Sequence, residues 1–281
     1  MYQVVIIGAG PVGGRLATEL ALRGVSTLMV EEHAEIGRPF QCAGLVNPPA
    51  MERVNLQDTI LQNVDGALIH SPSGIMVPVG KDGRTRTHVV CRKRFDQGVV
   101  AQAMSAGADL WLLSKPIDAN VSNDCVDIKI EREGEIIDIK CDLLIGADGA
   151  HSWTRRYFKL GRPKEMMIGF QADVSGLIGK DNWLEMYTGK DVAPGFFAWV
   201  IPTGDDTHRI GVWSRPQDLE GRSVEQCYDA LLQHPLWKER FSGVKEIARY
   251  CGPVPCGVIR KPFKDRVMVI GDAAGMAKPT T

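Results

Sequence analysis

Three closely spaced glycines near the start of the chain constrain its fold more than any other sequence feature. Residues 3–7 form a short apolar run that is typical of a strand buried on both faces. The run Gly8-Ala9-Gly10-Pro11-Val12-Gly13 follows at once, residues 14–22 carry apolar side chains at helical spacing, and residues 27–30 form a second apolar run. Strand, helix and strand in this order predict a β-α-β unit and therefore a parallel sheet.

Each glycine of this loop is expected to have a different role. Gly8 permits the tight turn, Gly10 lets a pyrophosphate approach the backbone, and Gly13 lets the helix pack closely on the strand. Pro11 and Val12 belong to this loop, and the free amides and dipole at the N-terminus of the following helix favour a negative charge. Glu31 follows the second strand 23 positions after Gly8, close to the usual position of a ribose-binding acid. The unit predicts a dinucleotide-binding site, and this motif alone does not separate NAD from FAD.

Two later turns extend the predicted site. Asp148 lies in Gly146-Ala147-Asp148-Gly149, and Asp272 lies in Gly271-Asp272-Ala273-Ala274; both turns follow a predicted buried strand. Small residues allow a ligand to approach the backbone, and a carboxylate can accept hydrogen bonds from ribityl or ribose hydroxyls. Together with the glycine loop, these turns indicate that three distant segments converge on one dinucleotide.

The sequence pattern of the rest of the chain predicts two domains. Residues 65–90 read as short strands broken by turns, residues 95–107 as a helix, and residues 126–141 as a hairpin. From residue 160 to residue 255 the aromatic-rich, alternating sequence predicts an antiparallel domain with one helix at 224–232. The fold class is α/β, with a discontinuous Rossmann-like domain built on a parallel sheet and an antiparallel substrate domain. The predicted boundaries are 1–64, 91–158 and 264–281 for the first domain, and 65–90 and 159–263 for the second.

The composition of the chain excludes several other classes of protein. The chain has 281 residues and a net charge of −1, so it lacks the basic footprint of a nucleic-acid-binding protein. No apolar stretch approaches the ~20 residues of a membrane-spanning helix, and the start of the chain lacks the pattern of an export signal, which predicts a cytoplasmic protein. The seven cysteines include no C-x-x-C pair, so neither a zinc site nor a disulfide framework is expected. We predict no metal site.

Several segments together resemble the flavoprotein superfamily of p-hydroxybenzoate hydroxylase and, more narrowly, the geranylgeranyl reductase family. That family includes the archaeal enzymes that saturate the isoprenoid chains of membrane lipids. The resemblance covers nearly the whole chain. The segments that carry it are the glycine loop at 8–13, Glu31, Ile36-Gly37-Arg38-Pro39-Phe40-Gln41-Cys42-Ala43-Gly44, Arg92-Lys93-Arg94-Phe95-Asp96, Asp148-Gly149, Pro194-Gly195-Phe196-Phe197-Ala198-Trp199-Val200-Ile201-Pro202, and Gly271-Asp272-Ala273-Ala274-Gly275-Met276-Ala277-Lys278-Pro279-Thr280-Thr281.

The resemblance implies FAD as the cofactor and assigns its contacts residue by residue. Glu31 would bind the adenosine ribose, Arg92 the pyrophosphate side, and Val121 would lie near the adenine. Gly271 and Asp272 would hold the ribityl chain. The isoalloxazine ring would lie against Arg38, Cys42, Ala43 and Gly44. The substrate would contact Phe196, Phe197 and Trp199, with Tyr187 as a further candidate.

The implied reaction is the reduction of an isoprenoid carbon–carbon double bond in a lipid by hydride transfer from reduced flavin. The resemblance names no general acid, and the external reductant is a nicotinamide (NADPH) or a ferredoxin-type protein. Such a substrate would bring the protein to a membrane surface, and the sequence says nothing of its oligomeric state. The chain departs from the family at Cys42-Ala43-Gly44, which lacks a usual glutamate, and at Phe197 and Ile201. Family members continue beyond the position of Thr281.

Three alternatives remain open at this point. One is a flavin monooxygenase of the aromatic-hydroxylase type, which shares the architecture. Another is a non-catalytic flavin-binding or lipid-binding fragment. The third is an NAD dehydrogenase, which the glycine loop alone would also fit.

Overall fold

The structure is a computed structural model that describes residues 1–39, 42–80, 82–177 and 182–277. Two parts of the segments that carry the family resemblance, Phe40-Gln41 and Lys278-Pro279-Thr280-Thr281, lie outside the described residues. None of the helices in the described ranges combines the length and the apolar character that crossing a membrane requires.

The described residues form strands and short helices that alternate along the chain. The strands are β1 Tyr2–Ile7, β2 Thr27–Val30, β3 Leu45–Val46, β4 Ile60–Val64, β5 Gly66–His70, β6 Met76–Val79, β7 Thr87–Val90, β8 Asp109–Trp111, β9 Ser114–Val121, β10 Val126–Arg132, β11 Glu135–Gly146, β12 Glu165–Ser175, β13 Trp183–Gly189, β14 Ala193–Gly204, β15 Thr207–Ser214, β16 Lys245–Cys256, β17 Phe263–Lys264 and β18 Val267–Val269. The α-helices are α1 Pro11–Ala21, α2 Pro48–Val54, α3 Arg92–Ser105, α4 Trp153–Tyr157, α5 Val224–Gln233 and α6 Lys238–Phe241.

The chain divides into two compact units, each built from separate stretches of sequence. Unit 1 contains Met1–Pro39, Lys93–Glu165 and Val254–Thr281, and unit 2 contains Phe40–Arg92 and Met166–Pro253. The discontinuous α/β architecture predicted from the sequence is confirmed.

The central sheet of unit 1 has the strand order β17-β18-β11-β1-β2-β8. All neighbours from β18 to β8 are parallel, and only β17 runs antiparallel to its neighbour β18. The strand β11 also forms an antiparallel meander with β10 and β9, which includes the predicted hairpin. Because parallel strands end at the same edge, the turns after β1, β11 and β18 are adjacent.

Both faces of this sheet are covered, which explains the continuous apolar runs of its strands. Val4, Ile6 and Met29 point to one face and pack against Ala17 of α1 and Val100 of α3. The alternate residues of β1 and β2 point to the other face, where they pack against three side chains of β10; that side of the core contains Val5, Ile7, Leu28, Val30, Val126, Ile128 and Ile130.

Unit 2 is built on a seven-stranded sheet with the order β16-β12-β15-β14-β13-β5-β6. One face packs against α5, which begins with a capping box: the Ser223 hydroxyl accepts a bond from the Gln226 amide, and the Gln226 side chain accepts one from the Ser223 amide. The opposite face carries Trp199 and Ile201, which pack with Val64 and Val89 of the three-stranded sheet β3-β7-β4.

The structure differs from the sequence-based expectation for this unit in its strand pairing and in its boundaries. The pairing of β13 with β5 is parallel, with Trp183 opposite Gly66, so the sheet is not wholly antiparallel. Residues 40–64 lie in unit 2 rather than with the nucleotide-binding segments, because β3 and β4 both pair with β7. Residues 254–263 lie in unit 1, where the Ile259 amide donates to the Ala274 carbonyl.

We expect Gly211→Ala to destabilise unit 2 strongly. A Cβ atom at Gly211 would lie 2.2 Å from the Trp199 ring and 2.7 Å from the Phe170 carbonyl oxygen. Overpacking of this kind costs about 1–3 kcal/mol of the free energy of unfolding. Gly252→Ala is the matched control, because a Cβ there meets nothing within 4 Å, and it should change the free energy by less than about 0.5 kcal/mol. Urea unfolding of both variants measures the difference; equal stabilities would contradict this packing.

Candidate functional site

The glycine loop of unit 1 is folded so that each glycine meets a different constraint. Gly8 has a positive φ of 98°, and a Cβ atom there would lie 2.4 Å from the Ala147 carbonyl oxygen. A Cβ at Gly13 would lie 2.1 Å from the Gly8 carbonyl oxygen, whereas a Cβ at Gly10 would meet nothing within 4 Å. Gly8 and Gly13 are therefore needed for packing, and Gly10 leaves open space beside the backbone.

The helix that follows this loop presents an uncapped N-terminus. Gly10 is the N-cap residue, so no side chain caps α1, and its first turn contains no acidic residue. Pro11 occupies the first turn, where its missing N–H removes no helical hydrogen bond. The remaining free amides and the positive end of the dipole face the open space at Gly10, which suits a phosphate group.

Glu31 lies directly beside the glycine loop. Its Oε2 atom accepts a hydrogen bond of 2.9 Å from the Ala9 amide, and its Oε1 atom lies 2.6 Å from His33 Nδ1. The carboxylate is thus fixed at the carboxyl end of β2, in the position expected of a ribose-binding acid.

The three predicted turns converge at one edge of the unit 1 sheet. The Ala147 amide donates to the Ile7 carbonyl at 2.7 Å, and the Ile270 amide donates to the Gly146 carbonyl at 2.9 Å. A Cβ at Gly271 would lie 3.2 Å from the Val12 side chain. Segments more than a hundred residues apart are therefore in direct contact around the start of α1.

The two aspartates of these turns are placed differently. Asp148 is half-buried, and its Oδ2 atom accepts bonds from both the amide and the hydroxyl of Thr154. Its Oδ1 atom is buried and has no hydrogen-bond partner among the described residues. Asp272 is exposed at the start of a short 3-10 helix. A buried carboxylate oxygen without a partner fits a ligand that brings hydroxyl groups.

Arg155 joins two of the three turns, and our sequence analysis did not identify it. The side chain is buried and donates one bond to the Ala273 carbonyl at 2.9 Å and another to the Ala150 carbonyl at 2.8 Å. Burial lowers the pKa of its guanidinium. The sequence signal was the helix cap Ser152, whose hydroxyl accepts from the Arg155 amide just after the aspartate turn.

In unit 2, a second buried arginine holds the predicted Cys42-Ala43-Gly44 segment. Arg209 donates to the Ala43 carbonyl at 2.7 Å and to the Val90 carbonyl at 3.2 Å, with Asp173 as its nearby carboxylate. Gly44 has a positive φ of 78°, and a Cβ there would lie 2.4 Å from the Arg209 guanidinium. Burial lowers the pKa of Arg209 and raises that of Asp173.

The face of the unit 2 sheet that packs with the three-stranded sheet carries a row of aromatic side chains. Phe196 and Phe197 are half-buried and stack with ring centroids 4.5 Å apart, while Trp199 and Trp213 meet edge to face at 5.6 Å. We call Phe196, Phe197, Trp199 and Trp213 the aromatic row. Ala43 packs in the same cluster, so the structure brings three predicted substrate residues together with one predicted flavin contact. Trp213 was missed, since a lone tryptophan in an alternating strand gives no signal.

Tyr187 does not belong to this row. Its side chain is fully buried on the opposite face of the sheet, where it bonds Glu185 and packs against Trp237 and Phe241. Burial raises the pKa of its phenol. We therefore correct the sequence-based assignment of Tyr187 to the substrate: it is a core residue.

Val121 lies at the end of β9, a strand that begins beside Glu31, since the Ser114 amide donates to the Glu31 carbonyl. Val121 ends that strand seven residues later, about 23 Å along an extended chain. Its expected position near the adenine stays a prediction.

The other predicted contacts occupy surface or partly buried positions. Arg38 is exposed in unit 1. In unit 2, Cys42 is exposed, with its Sγ atom 3.4 Å from the Gly44 amide, and Arg92 is half-buried at the start of α3. Their roles toward a flavin stay predictions.

Comparison with known proteins decides the family. Residues 1–281 match the FAD-binding domain family. The chain belongs to this family. A digeranylgeranylglycerophospholipid reductase from Methanocaldococcus jannaschii is 32% identical over 289 residues, covering 100% of this chain and 72% of the relative. A second protein of that name from Methanosphaera stadtmanae is 32% identical over 290 residues, covering 99% of this chain and 72% of its own length.

Solved structures agree with this assignment. A geranylgeranyl bacteriochlorophyll reductase-like protein from Thermoplasma acidophilum has a TM-score of 0.90 at 27% identity, covering 99% of this chain and 72% of that protein. A flavin-dependent brominase has a TM-score of 0.82 at 20% identity and shares the fold. This flavoprotein is an FAD-dependent oxidoreductase similar to the geranylgeranyl reductases, which confirms the predicted cofactor and sets aside the NAD dehydrogenase.

We expect Gly10→Ala to weaken FAD binding without unfolding this flavoprotein. The φ of −72° at Gly10 is accessible to alanine, but the added methyl group would enter the space beside the uncapped helix. FAD affinity should fall about tenfold or more, since 1.4 kcal/mol of lost contact suffices for that change. Gly13→Ala should lower both affinity and the stability of the apoprotein, because its Cβ meets backbone. Fluorescence titration with FAD and thermal unfolding measure the two quantities; an unchanged affinity in Gly10→Ala would contradict the assignment.

Removing the buried Arg155 should loosen the turns that it joins. Arg155→Met leaves two carbonyls without their charged donor, and we expect a loss of about 1.5–3 kcal/mol in the free energy of unfolding together with weaker FAD retention. Arg156→Met is the neighbouring control, since Arg156 is exposed, and it should change stability by less than about 0.5 kcal/mol. Equal effects in the two variants, measured by urea unfolding and bound-flavin absorbance, would show that Arg155 does not organise the site.

Proposed function

We propose that this flavoprotein reduces carbon–carbon double bonds in the isoprenoid chains of a lipid. The observation that carries the proposal is the aromatic row, which lies in one cluster with Ala43 of the predicted flavin-contacting segment. The names of the relatives from Methanocaldococcus jannaschii and Methanosphaera stadtmanae support a lipid with geranylgeranyl chains as the substrate class.

The residues of unit 1 would hold the nucleotide part of FAD. The open space at Gly10 and the free amides of α1 would bind the pyrophosphate, and Glu31 would bind the adenosine ribose. Asp148 and Asp272 would accept hydrogen bonds from the ribityl chain, the former through its unpartnered Oδ1 atom. Bound FAD in its reduced form supplies the hydride that an alkene reduction requires.

For the flavin ring, we propose the contacts predicted from the resemblance, namely Arg38, Cys42, Ala43 and Gly44, with Arg92 on the pyrophosphate side. Arg209 would act as a positioning residue for two of them, because it fixes the Ala43 carbonyl and packs against Gly44. Its burial means that this segment is held by a rigid strand, β15, rather than by a mobile surface side chain.

An isolated alkene offers no polar group for recognition, so its site must act through shape and apolar contact. The aromatic row provides such a surface on β14 and β15. Two glycines make the room for its indoles: a Cβ at Gly211 would strike Trp199, and a Cβ at Gly169 would lie 2.6 Å from Trp213. Aromatic side chains at these positions exclude water from a neighbouring double bond.

A lipid with such chains resides in a membrane, so we propose that the protein works at the membrane surface. Unit 2 would then bind the isoprenoid chain, and unit 1 would bind the nucleotide part of the cofactor. These two roles correspond to the substrate domain and the FAD-binding domain expected from the sequence.

The proposal is tested by anaerobic turnover. FAD-loaded protein is reduced with dithionite and mixed with a lipid that carries geranylgeranyl chains, and the lipid is then analysed by mass spectrometry. We expect lipid that has gained two hydrogens per reduced double bond, together with return of the oxidised flavin spectrum. Phe197→Ala should raise KM about tenfold or more at unchanged flavin content, because burying a phenylalanine contributes about 1.5–3 kcal/mol.

Ile247→Ala is the control for this variant, since Ile247 is an exposed apolar residue elsewhere in unit 2. A product that contains oxygen and forms only in air would favour the monooxygenase instead. Flavin that is never reoxidised by an alkene would favour a non-catalytic binding protein. Either result would overturn the reductase assignment.

A further inference from the structure

One surface of unit 1 carries an unusual concentration of positive charge. Residues 156–165 and 257–266 together contain eight basic and two acidic side chains, whereas the whole chain has a net charge of −1. Seven of the eight basic side chains are exposed, and we call these seven residues the basic face: Arg156, Lys159, Arg162, Lys164, Arg260, Lys261 and Lys264.

The two segments are in contact, so their charges share one surface. The Lys164 amide donates to the Gly257 carbonyl at 3.1 Å, and a Cβ at Gly257 would lie 2.8 Å from the Lys164 side chain. An open depression of about 420 Å³ joins them further along, where Phe158 lies beside Lys261 and Lys264.

The cations of the basic face lack the carboxylate partners that several exposed cations have elsewhere in the chain. None of the seven forms an ion pair with an acidic side chain in the described ranges. Ion pairs elsewhere on the surface include Arg15–Glu19, Arg86–Asp82, Lys93–Glu35, Lys115–Glu131, Lys140–Asp127 and Arg249–Glu225. The seven cations outnumber Glu165 and Asp265, the two acidic residues of the same segments, so the face is positive and an anionic partner would relieve the repulsion among the cations.

Apolar side chains stand among these charges. Phe263 is 54% exposed and Val258 is 47% exposed, and the Lys261 ammonium lies 5.9 Å from the centre of the Phe263 ring. Long basic side chains around exposed aromatic and aliphatic groups are the composition of a surface that lies in a lipid headgroup layer, where the cations reach the phosphates and the apolar groups enter below them.

We propose that the basic face docks on the anionic headgroup surface of a lipid bilayer. The exposed Phe263 and Val258 favour a bilayer over an acidic protein, because a purely electrostatic protein contact would not need them. The choice of a lipid partner also rests on the proposed function, since a lipid-modifying enzyme must reach its substrate at such a surface.

The basic face is continuous with a turn of the proposed cofactor site. The Ile259 amide donates to the Ala274 carbonyl at 3.0 Å, and a Cβ at Gly275 would lie 2.8 Å from the Gly257 carbonyl oxygen. Docking through this face would therefore hold the Gly271–Ala274 turn close to the membrane surface.

The test is co-sedimentation of the FAD-loaded protein with vesicles of phosphatidylcholine, with and without phosphatidylglycerol. We expect at least about tenfold stronger binding to the anionic vesicles at low salt, and loss of most of that difference at high salt. Lys261→Glu/Lys264→Glu should weaken anionic binding about thirtyfold or more, because each cation near an anionic surface contributes about fivefold. Phe263→Ser should weaken binding severalfold with an unchanged salt dependence.

Lys190→Glu/Lys245→Glu is the matched control, since both lysines are exposed in unit 2 and the change in net charge is the same. It should bind like the unaltered protein. Equal binding to neutral and anionic vesicles would overturn the proposal, and so would an equal loss of vesicle binding in the two double variants. Binding of a purified acidic electron-transfer protein in place of vesicles would also overturn it. Alkene reduction in detergent without vesicle binding would refute the basic face alone, whereas vesicle binding without any reduction would refute the proposed reaction alone.

Discussion

The parallel pairing of β11 with both β1 and β18 is the constraint on which the candidate site depends. These three strands end at one edge, so hydrogen bonds from Ala147 to Ile7 and from Ile270 to Gly146 bring their turns together. A helix N-terminus without a side-chain cap and a carboxylate oxygen that no described residue bonds therefore belong to adjacent turns. Neither group is stabilised fully by the protein itself, and a ligand with phosphates and hydroxyls would stabilise both.

Buried arginines perform a similar task in each unit. Arg155 in unit 1 and Arg209 in unit 2 both donate to main-chain carbonyls far away in sequence, Arg155 to Ala273 and Arg209 to Ala43 and Val90. A buried guanidinium is expensive to desolvate, and burial lowers the pKa of both side chains. The cost is tolerated where two carbonyl oxygens accept hydrogen bonds from the guanidinium, and these bonds fix the position of the bonded backbone. Both arginines thus act on the site through other residues rather than by contact with a ligand.

The two faces of the unit 2 sheet have different surroundings. Tyr187 and the helix α5 occupy one face, which is a closed aromatic and aliphatic core. Trp199 and Phe197 occupy the opposite face, where Gly211 leaves the space that the Trp199 ring fills. From Ala198 to Ile201 the side chains of β14 alternate between the faces, so Ala198 and Val200 pack in the core with Tyr187, whereas Trp199 and Ile201 do not.

The sequence by itself determined the β-α-β unit, a helix at 224–232 and the hairpin, because these depend on local periodicity and glycines. It also indicated that the turns at Asp148 and Asp272 belong with the glycine loop, and family membership with FAD as cofactor is confirmed. Only the tertiary structure decided that Tyr187 is core, that Val121 lies at the far end of β9, and that Arg155 and Arg209 fix distant loops. Burial, strand register and long-range hydrogen bonds are properties of the folded chain, and no local pattern encodes them.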